Sequence, residues 1–207
     1  MKEYVKVAVD AMGGDYAPVE PVKGAVDAVN ANEEIFVYLV GQKAVIEAEL
    51  AKYTYPRERI SIVEASEVIE TGEPPVNAIR GKKDSSMVVA LNMVRRQEAD
   101  AIVSSGSTGA LLVGGQVLVG RLKGVERPPL APLIPTAKGV SLLIDCGANV
   151  DARSSHLVQF AKMGSIYMEH VVGIRNPKVA IVNIGAEEEK GNALVKETYP
   201  LLKACRN

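Results

Sequence analysis

Tryptophan is absent from this 207-residue sequence, and the aromatic residues together make up only 4% of it. So few rings exclude the stacking platforms on which single-stranded nucleic acid is held. Charge of one sign is also lacking: 24 Lys and Arg stand against 25 Asp and Glu, a formal net charge of −1. No overall basic field attracts a polyanion, so no nucleic-acid partner is expected. Cysteine is confined to Cys146 and Cys205, too few for a disulfide framework and suited to a reducing compartment. The only histidines, His156 and His170, have no Cys or His neighbour at metal spacing and read as structural. The opening MKEYVKVAVD has no apolar h-region, so no secretory signal is read. The uncharged run Ala101–Gly120 has the length of a membrane span, but Ser104, Ser105, Ser107, Thr108 and five glycines split it into strand, loop and helix.

What is present is a soluble globular mix, 47% hydrophobic and 24% charged. Short β-branched runs at Tyr4–Val9, Ile35–Val40, Ile60–Val63, Ala101–Val103, Val140–Ile144 and Val179–Asn183 read as strands buried on both faces. Between them, Val19, Val22, Val26 and Val29 mark one face of a helix over Val19–Asn30. Ser85 or Ser86 is placed to cap a helix over Met87–Gln97. Two more helices are expected over His156–Glu169 and Ala193–Ala204. The alternation implies one α/β domain over residues 1–207, with a mostly parallel sheet between helices. The proline-rich Val125–Lys138 reads as an irregular connector or an edge strand. The chain stops at LLKACRN, where the alternation asks for another strand, so the domain is expected to be the N-terminal portion of a longer one.

In such sheets the ligand crevice lies beyond the carboxyl ends of the strands. Four loops follow expected strands: DAMGGDYAP at Asp10–Pro18, SSGSTG at Ser104–Gly109, DCGANVD at Asp145–Asp151 and IGAEEEKGN at Ile184–Asn192. Glycine, hydroxyls and free N–H groups suit an anion such as phosphate. The same residues are also ordinary turn and cap chemistry, and for any single loop that is the stronger reading. Four at one sheet edge favour a site. None matches a P-loop, a dinucleotide fingerprint or a G-x-S-x-G elbow. Lys190, after the acids Glu187–Glu189, is either a point charge for phosphate or a solvated lysine. Arg80, Lys82 and Lys83, before the helix start at Asp84–Met87, either bind an anion or are solvated. Cys146 reads as a small strand-end residue rather than a nucleophile.

Taken together, DAMGGDYAP, RGKKDSSM at Arg80–Met87, SSGSTGALL, DCGANVD and NIGAEEEKGN resemble the bacterial phosphate acyltransferase family, PlsX, in order and approximate spacing. Three departures stand out. Ser105 and Ser107 replace the family's alanine and asparagine in SAGNTGA, Cys146 replaces valine in DVGAN, and family members extend further at the C-terminal end. The resemblance implies a three-layer α/β/α sandwich like that of phosphotransacetylases and isopropylmalate dehydrogenases. It implies transfer of a fatty acyl group from acyl-acyl-carrier protein to inorganic phosphate in phospholipid and fatty acid synthesis, without a cofactor or metal. It further implies a cytoplasmic homodimer, peripheral at the inner membrane face.

On this footing Lys190, Asn149 and Ser107 are expected to contact phosphate or the developing oxyanion, with Thr108 and Gly109 beside them. Gly13, Gly14, Ser85, Ser86, Gly106, Gly147, Asp151, Gly191 and Asn192 are expected around the substrate, with Asp10, Asp15 and Asp145 organising the loops. Arg95, Arg96, Arg121, Lys123 and Arg127 are candidates to meet the acidic carrier protein. Leu111–Val119 reads as helix–sheet packing more than as an acyl groove. Two other readings stand beside this one: a non-catalytic phosphate- or carrier-binding fragment, and an oxidoreductase of the isopropylmalate dehydrogenase type.

Overall fold

The computed structural model describes residues 4–187 and 189–206. The chain divides into two compact units, Met1–Gly120 and Arg121–Asn207.

The first unit is built on four strands: β1 (Val5–Asp10), β2 (Ile35–Gly41), β3 (Ile60–Glu64) and β4 (Ala101–Ser104). All pair in parallel, in the order β3-β2-β1-β4, with Val9 opposite both Leu39 and Val103. Side chains alternate across the sheet, so one parity serves each face. On one face Val9, Val37 and Leu39 pack with Val22, Val26 and Val29 of α1 (Val19–Ala31) and with Ile46 and Leu50 of α2 (Lys43–Leu50). On the other, Ala8 and Val40 pack with Ala90 and Met93 of α4 (Ser86–Arg95). The sheet is thus apolar on both faces, which is why its strands read as continuous hydrophobic runs. Between β3 and α4 lies α3 (Pro75–Gly81), started by a proline at its first position. After β4 come α5 (Thr108–Gly114) and a π turn, Gly115–Val119. Leu111, Val113 and Leu118 of this stretch join the cluster of Ile69, Ile79, Met87 and Leu91, which is the packing role expected of it.

Helix α2 carries a buried acid. Glu49, 5% exposed, accepts from Lys52 Nζ at 2.5 Å and Tyr53 OH at 3.0 Å. The Lys52 hydrogen bond holds its carboxyl below the usual glutamate range, against desolvation. A depressed folded-state value contributes stability above the unfolded value and loses it as pH falls through the folded one. We therefore expect acid denaturation to steepen below about pH 4.3. Glu49→Gln should flatten that limb in urea titrations run at successive pH values.

In the second unit β5 (Leu133–Thr136) and β6 (Gly139–Leu142) form an antiparallel pair, Thr136 opposite Gly139. The proline-rich stretch thus supplies a strand, and the expected strand at Val140–Ile144 pairs with it rather than in a parallel sheet. Helices α6 (Ser154–His170) and α7 (Ala193–Lys203) follow, packed together. Phe160, 1% exposed, anchors α6. His156 is structural: its Nδ1 accepts from Arg153 N at 3.1 Å and its Nε2 lies 3.0 Å from Glu126 Oε2. The strand expected at Val179–Asn183 is not formed. The run is apolar, but no described strand pairs with it, and a strand needs a neighbour for its N–H and C=O groups.

Candidate functional site

The glycine loop after β1 is organised by Asp10, the last residue of the strand and 1% exposed. Asp10 has the parity of Ala8, so its side chain lies on the α4 face of the sheet, at the start of that helix. Its Oδ1 accepts from Ser86 Oγ at 2.5 Å and from Met12 N at 3.3 Å. Its Oδ2 accepts from Ser104 Oγ at 2.7 Å. Ser104 is its register partner on β4, and the Ser104 hydroxyl accepts in turn from Gly106 N at 3.0 Å. No cation is paired with Asp10 among the described residues. Hydroxyl and amide donors and the positive end of α4 take that place.

The two loops touch as backbones. A Cβ on Gly14, whose φ is +106°, would lie 2.9 Å from Ser105 Cβ; only glycine fits both the angle and the gap. One on Gly109 would lie 2.8 Å from Pro75 Cγ, so the start of α5 is seated against α3. Ser107, 7% exposed, caps α5 through Ala110 N at 3.3 Å, and Thr108 is exposed beside it. Asp15 is exposed. Asp10, Gly13, Gly14, Ser86 and Gly106 are thus brought together, with Ser107, Thr108 and Gly109 following directly.

The RGKKDSSM segment is pinned rather than free. Arg80 lies at the end of α3, ahead of the start of α4. Lys82 pairs with Glu73 and donates to Val68 O at 2.6 Å, so it is not available to an anion. Asp84 accepts from Ser66 Oγ at 2.5 Å and Ser66 N at 3.0 Å, which hold its carboxyl below the usual range. Ser85 caps α4 through Val88 N at 3.4 Å. Lys83, Arg95 and Arg96 are exposed.

In the second unit Asp145 organises its loop. The carboxylate accepts from Leu130 N at 2.7 Å, Ala148 N at 3.3 Å and Asn149 N at 2.7 Å. Asn149 Nδ2 donates to Pro128 O at 3.1 Å and to Asp145 Oδ2 at 3.2 Å. Both amide hydrogens are committed, and the remaining Oδ1 is an acceptor. In this geometry the Asn149 side chain holds the loop. Gly147 and Asp151 are exposed in the same loop. Cys146 is a free thiol, its Sγ 3.8 Å from Leu143 O.

Lys190 is exposed and lines a cavity of about 490 Å³ with Lys162, Asn183, Gly185, Val195 and Tyr199. Asn183 Nδ2 donates to Lys190 O at 3.2 Å. A Cβ on Gly191, φ +102°, would lie 2.6 Å from Asn183 Oδ1, so the turn after Lys190 is closed around a glycine. Asn192 caps α7 through Val195 N at 2.9 Å. Glu188, one of the acids before Lys190, lies outside the described residues.

Ser104 opens the expected SSGSTG loop but had no role assigned to it, and Ser66 was missed. The only signal for Ser104 is a polar residue closing the apolar run of β4, as Asp10 closes that of β1. Among the described residues no group of His, Cys, Asp and Glu is placed to hold a metal, and no helix is long and apolar enough to cross a membrane.

Residues 5–207 match the family described as fatty acid synthesis protein. A phosphate acyltransferase from Alkaliphilus oremlandii is 55% identical over 199 residues, covering 96% of this chain and 59% of that protein. One from Clostridium beijerinckii is 52% identical, covering 96% and 60%. The chain thus spans about 60% of the length of the curated relatives it matches. Among solved structures, the EutD phosphotransacetylase from Staphylococcus aureus superposes with a TM-score of 0.65 at 18% identity, over 97% of this chain and 64% of that one. A phosphotransacetylase from Streptococcus pyogenes gives 0.64 at 17%, over 96% and 65%. At such identities the likeness establishes the α/β fold.

Proposed function

The chain belongs to the fatty acid synthesis protein family of phosphate acyltransferases, PlsX, and from that membership we propose that it takes part in transfer of a fatty acyl group from an acyl-carrier-protein thioester to inorganic phosphate. Family membership along nearly the whole chain carries this reading, ahead of a dehydrogenase of the same architecture. A phosphate oxygen attacks the thioester carbonyl, a C–O bond forms, the C–S bond breaks, and the carrier leaves as thiol.

Phosphate near neutral pH is largely dianionic, its second pKa being about 6. No strong general base is then needed, in keeping with a buried, doubly bonded His156. The protein's task is to position phosphate and stabilise the oxyanion, and such positioning supplies roughly 7–11 kcal/mol in favourable cases. In the first unit the Ser107–Gly109 hydroxyls and N–H groups provide donors; in the second, Lys190 provides a cation. Asp10 and Asp145, each surrounded by donors, shape the loops and do not face an anion. A homodimer, the cytoplasm and peripheral contact with the inner membrane face belong to the same proposal, by family membership alone.

The test is release of carrier-protein thiol from palmitoyl-acyl-carrier protein, with and without inorganic phosphate. Phosphate-dependent release is the expected result. Carrier binding without release would return the chain to a non-catalytic binding piece. Lys190→Ala should raise the phosphate KM about tenfold, the worth of one charge-assisted contact in a solvated setting. Full activity in that variant would remove Lys190 from the site.

A further inference from the structure

We propose that Asp10 is a positioning residue for the loop after β4, acting through the Ser104 hydroxyl to aim the Gly106 amide and hence the Ser107–Gly109 segment; this rests on the acyl-transfer reading above. The argument begins with hydrogen-bond direction. Ser104 Oγ has one proton, and that proton goes to Asp10 Oδ2 at 2.7 Å. Its lone pairs are then turned to Gly106 N, 3.0 Å away. Without an acceptor at position 10 the hydroxyl is free to rotate, and the Gly106 N–H loses its fixed partner.

The carboxylate is itself immobilised. It is 1% exposed and tied to Ser86, Met12 and Ser104 at once. It therefore links three segments distant in sequence: the end of β1, the first residue of α4 and the end of β4. The loop it aims has little slack. A Cβ on Gly106 would lie 3.2 Å from Gly13 Cα, so the Gly13 and Gly106 backbones lie against each other. One residue further on, the Ser107 cap starts α5. A tilt of the Gly106 peptide is therefore passed to Ser107, Thr108 and Gly109, which present the donors assigned to phosphate. Aspartate is needed because two hydroxyl donors converge on one side chain. Asparagine keeps its shape but leaves one of them facing an NH2 group.

Two measurements on the 207-residue chain test this. The first is amide hydrogen exchange at Gly106; the second is the phosphate KM of thiol release. Asp10→Asn and Ser104→Ala should each speed Gly106 exchange and raise the phosphate KM, by about tenfold, with kcat much less affected. The double variant should do no more than either alone, because both cut one linkage. Ser86→Ala, which cuts the arm to α4, should lower the melting temperature while leaving Gly106 protected. If Asp10→Asn does not fold, Ser104→Ala carries the same readouts. Unchanged Gly106 exchange, additive effects in the double variant, or a loss of stability with phosphate KM unmoved would each overturn the proposal. Absence of phosphate-dependent release in the unaltered chain would overturn the acyl-transfer reading instead, and Gly106 exchange would still decide whether Asp10 holds the loop through Ser104.

Discussion

Gly13→Ala is expected to lower phosphate-dependent thiol release about 10²-fold, the scale of loss when reacting groups move by about an ångström. The added methyl group would sit on the Asp10 carboxylate oxygen, 2.9 Å from Asp10 Cγ and 3.0 Å from Gly106 N. None of these atoms is the loose end of a flexible side chain. Asp10 is held by Ser86 and Ser104, and Gly106 by Ser104. Either the β1 loop lifts away from the β4 loop or the carboxylate loses its donors. Both outcomes displace the segment proposed to hold phosphate. Overpacking also costs about 1–3 kcal/mol of stability, so the melting temperature should fall as well. Gly24→Ala serves as the control: a Cβ there meets nothing within 4 Å, and the glycine lies inside α1, where alanine is the better helix former. Steady-state release by both variants beside the unaltered chain gives the measurement. Normal activity in Gly13→Ala would show that the two loops separate without consequence.

Leu39→Ala is expected to destabilise the first unit by about 2–5 kcal/mol, the range for large-to-small changes in close-packed cores. Leu39 is fully buried on β2, an interior strand of the sheet, and packs among Val9, Val22, Val26 and Val37. Strands lie on both sides of it and helices cover its face, so the cavity has little freedom to collapse. Val5→Ala, at a position 52% exposed at the start of β1, should stay within about 0.5 kcal/mol. Urea unfolding followed by circular dichroism distinguishes the two, and equal effects would mean that this core is not the stabilising element of the unit.

Local order was legible in the sequence wherever one period governs it. Continuous β-branched runs gave away β1 to β4; the ends of β1 and β2 are buried on both faces, whereas on β4 Ala101 and Val103 stay exposed. The spacing of Val22, Val26 and Val29 gave away α1, and of the two serines offered as a cap for α4 it is Ser85 that acts as one. The grouping of glycine and small polar residues after strands led to the loops that Asp10 and Asp145 organise. Family membership was readable in the same loops. Helices α2 and α3 were not anticipated, being short and weakly patterned.

What only the tertiary structure decided is partnership. Asp10 and Ser104 are 94 residues apart, and register alone sets them side by side. Lys82 reads as a free cation until Glu73 and Val68 O are seen to hold it. Asn149 meets Pro128 O and Asp145, partners that its place in DCGANVD does not announce. Val179–Asn183 has the composition of a strand and no strand beside it among the described residues. Period and composition are properties of a segment, and the sequence by itself determines them. A hydrogen bond or a ladder is a property of two segments, and it exists only once folding has chosen which pair meets.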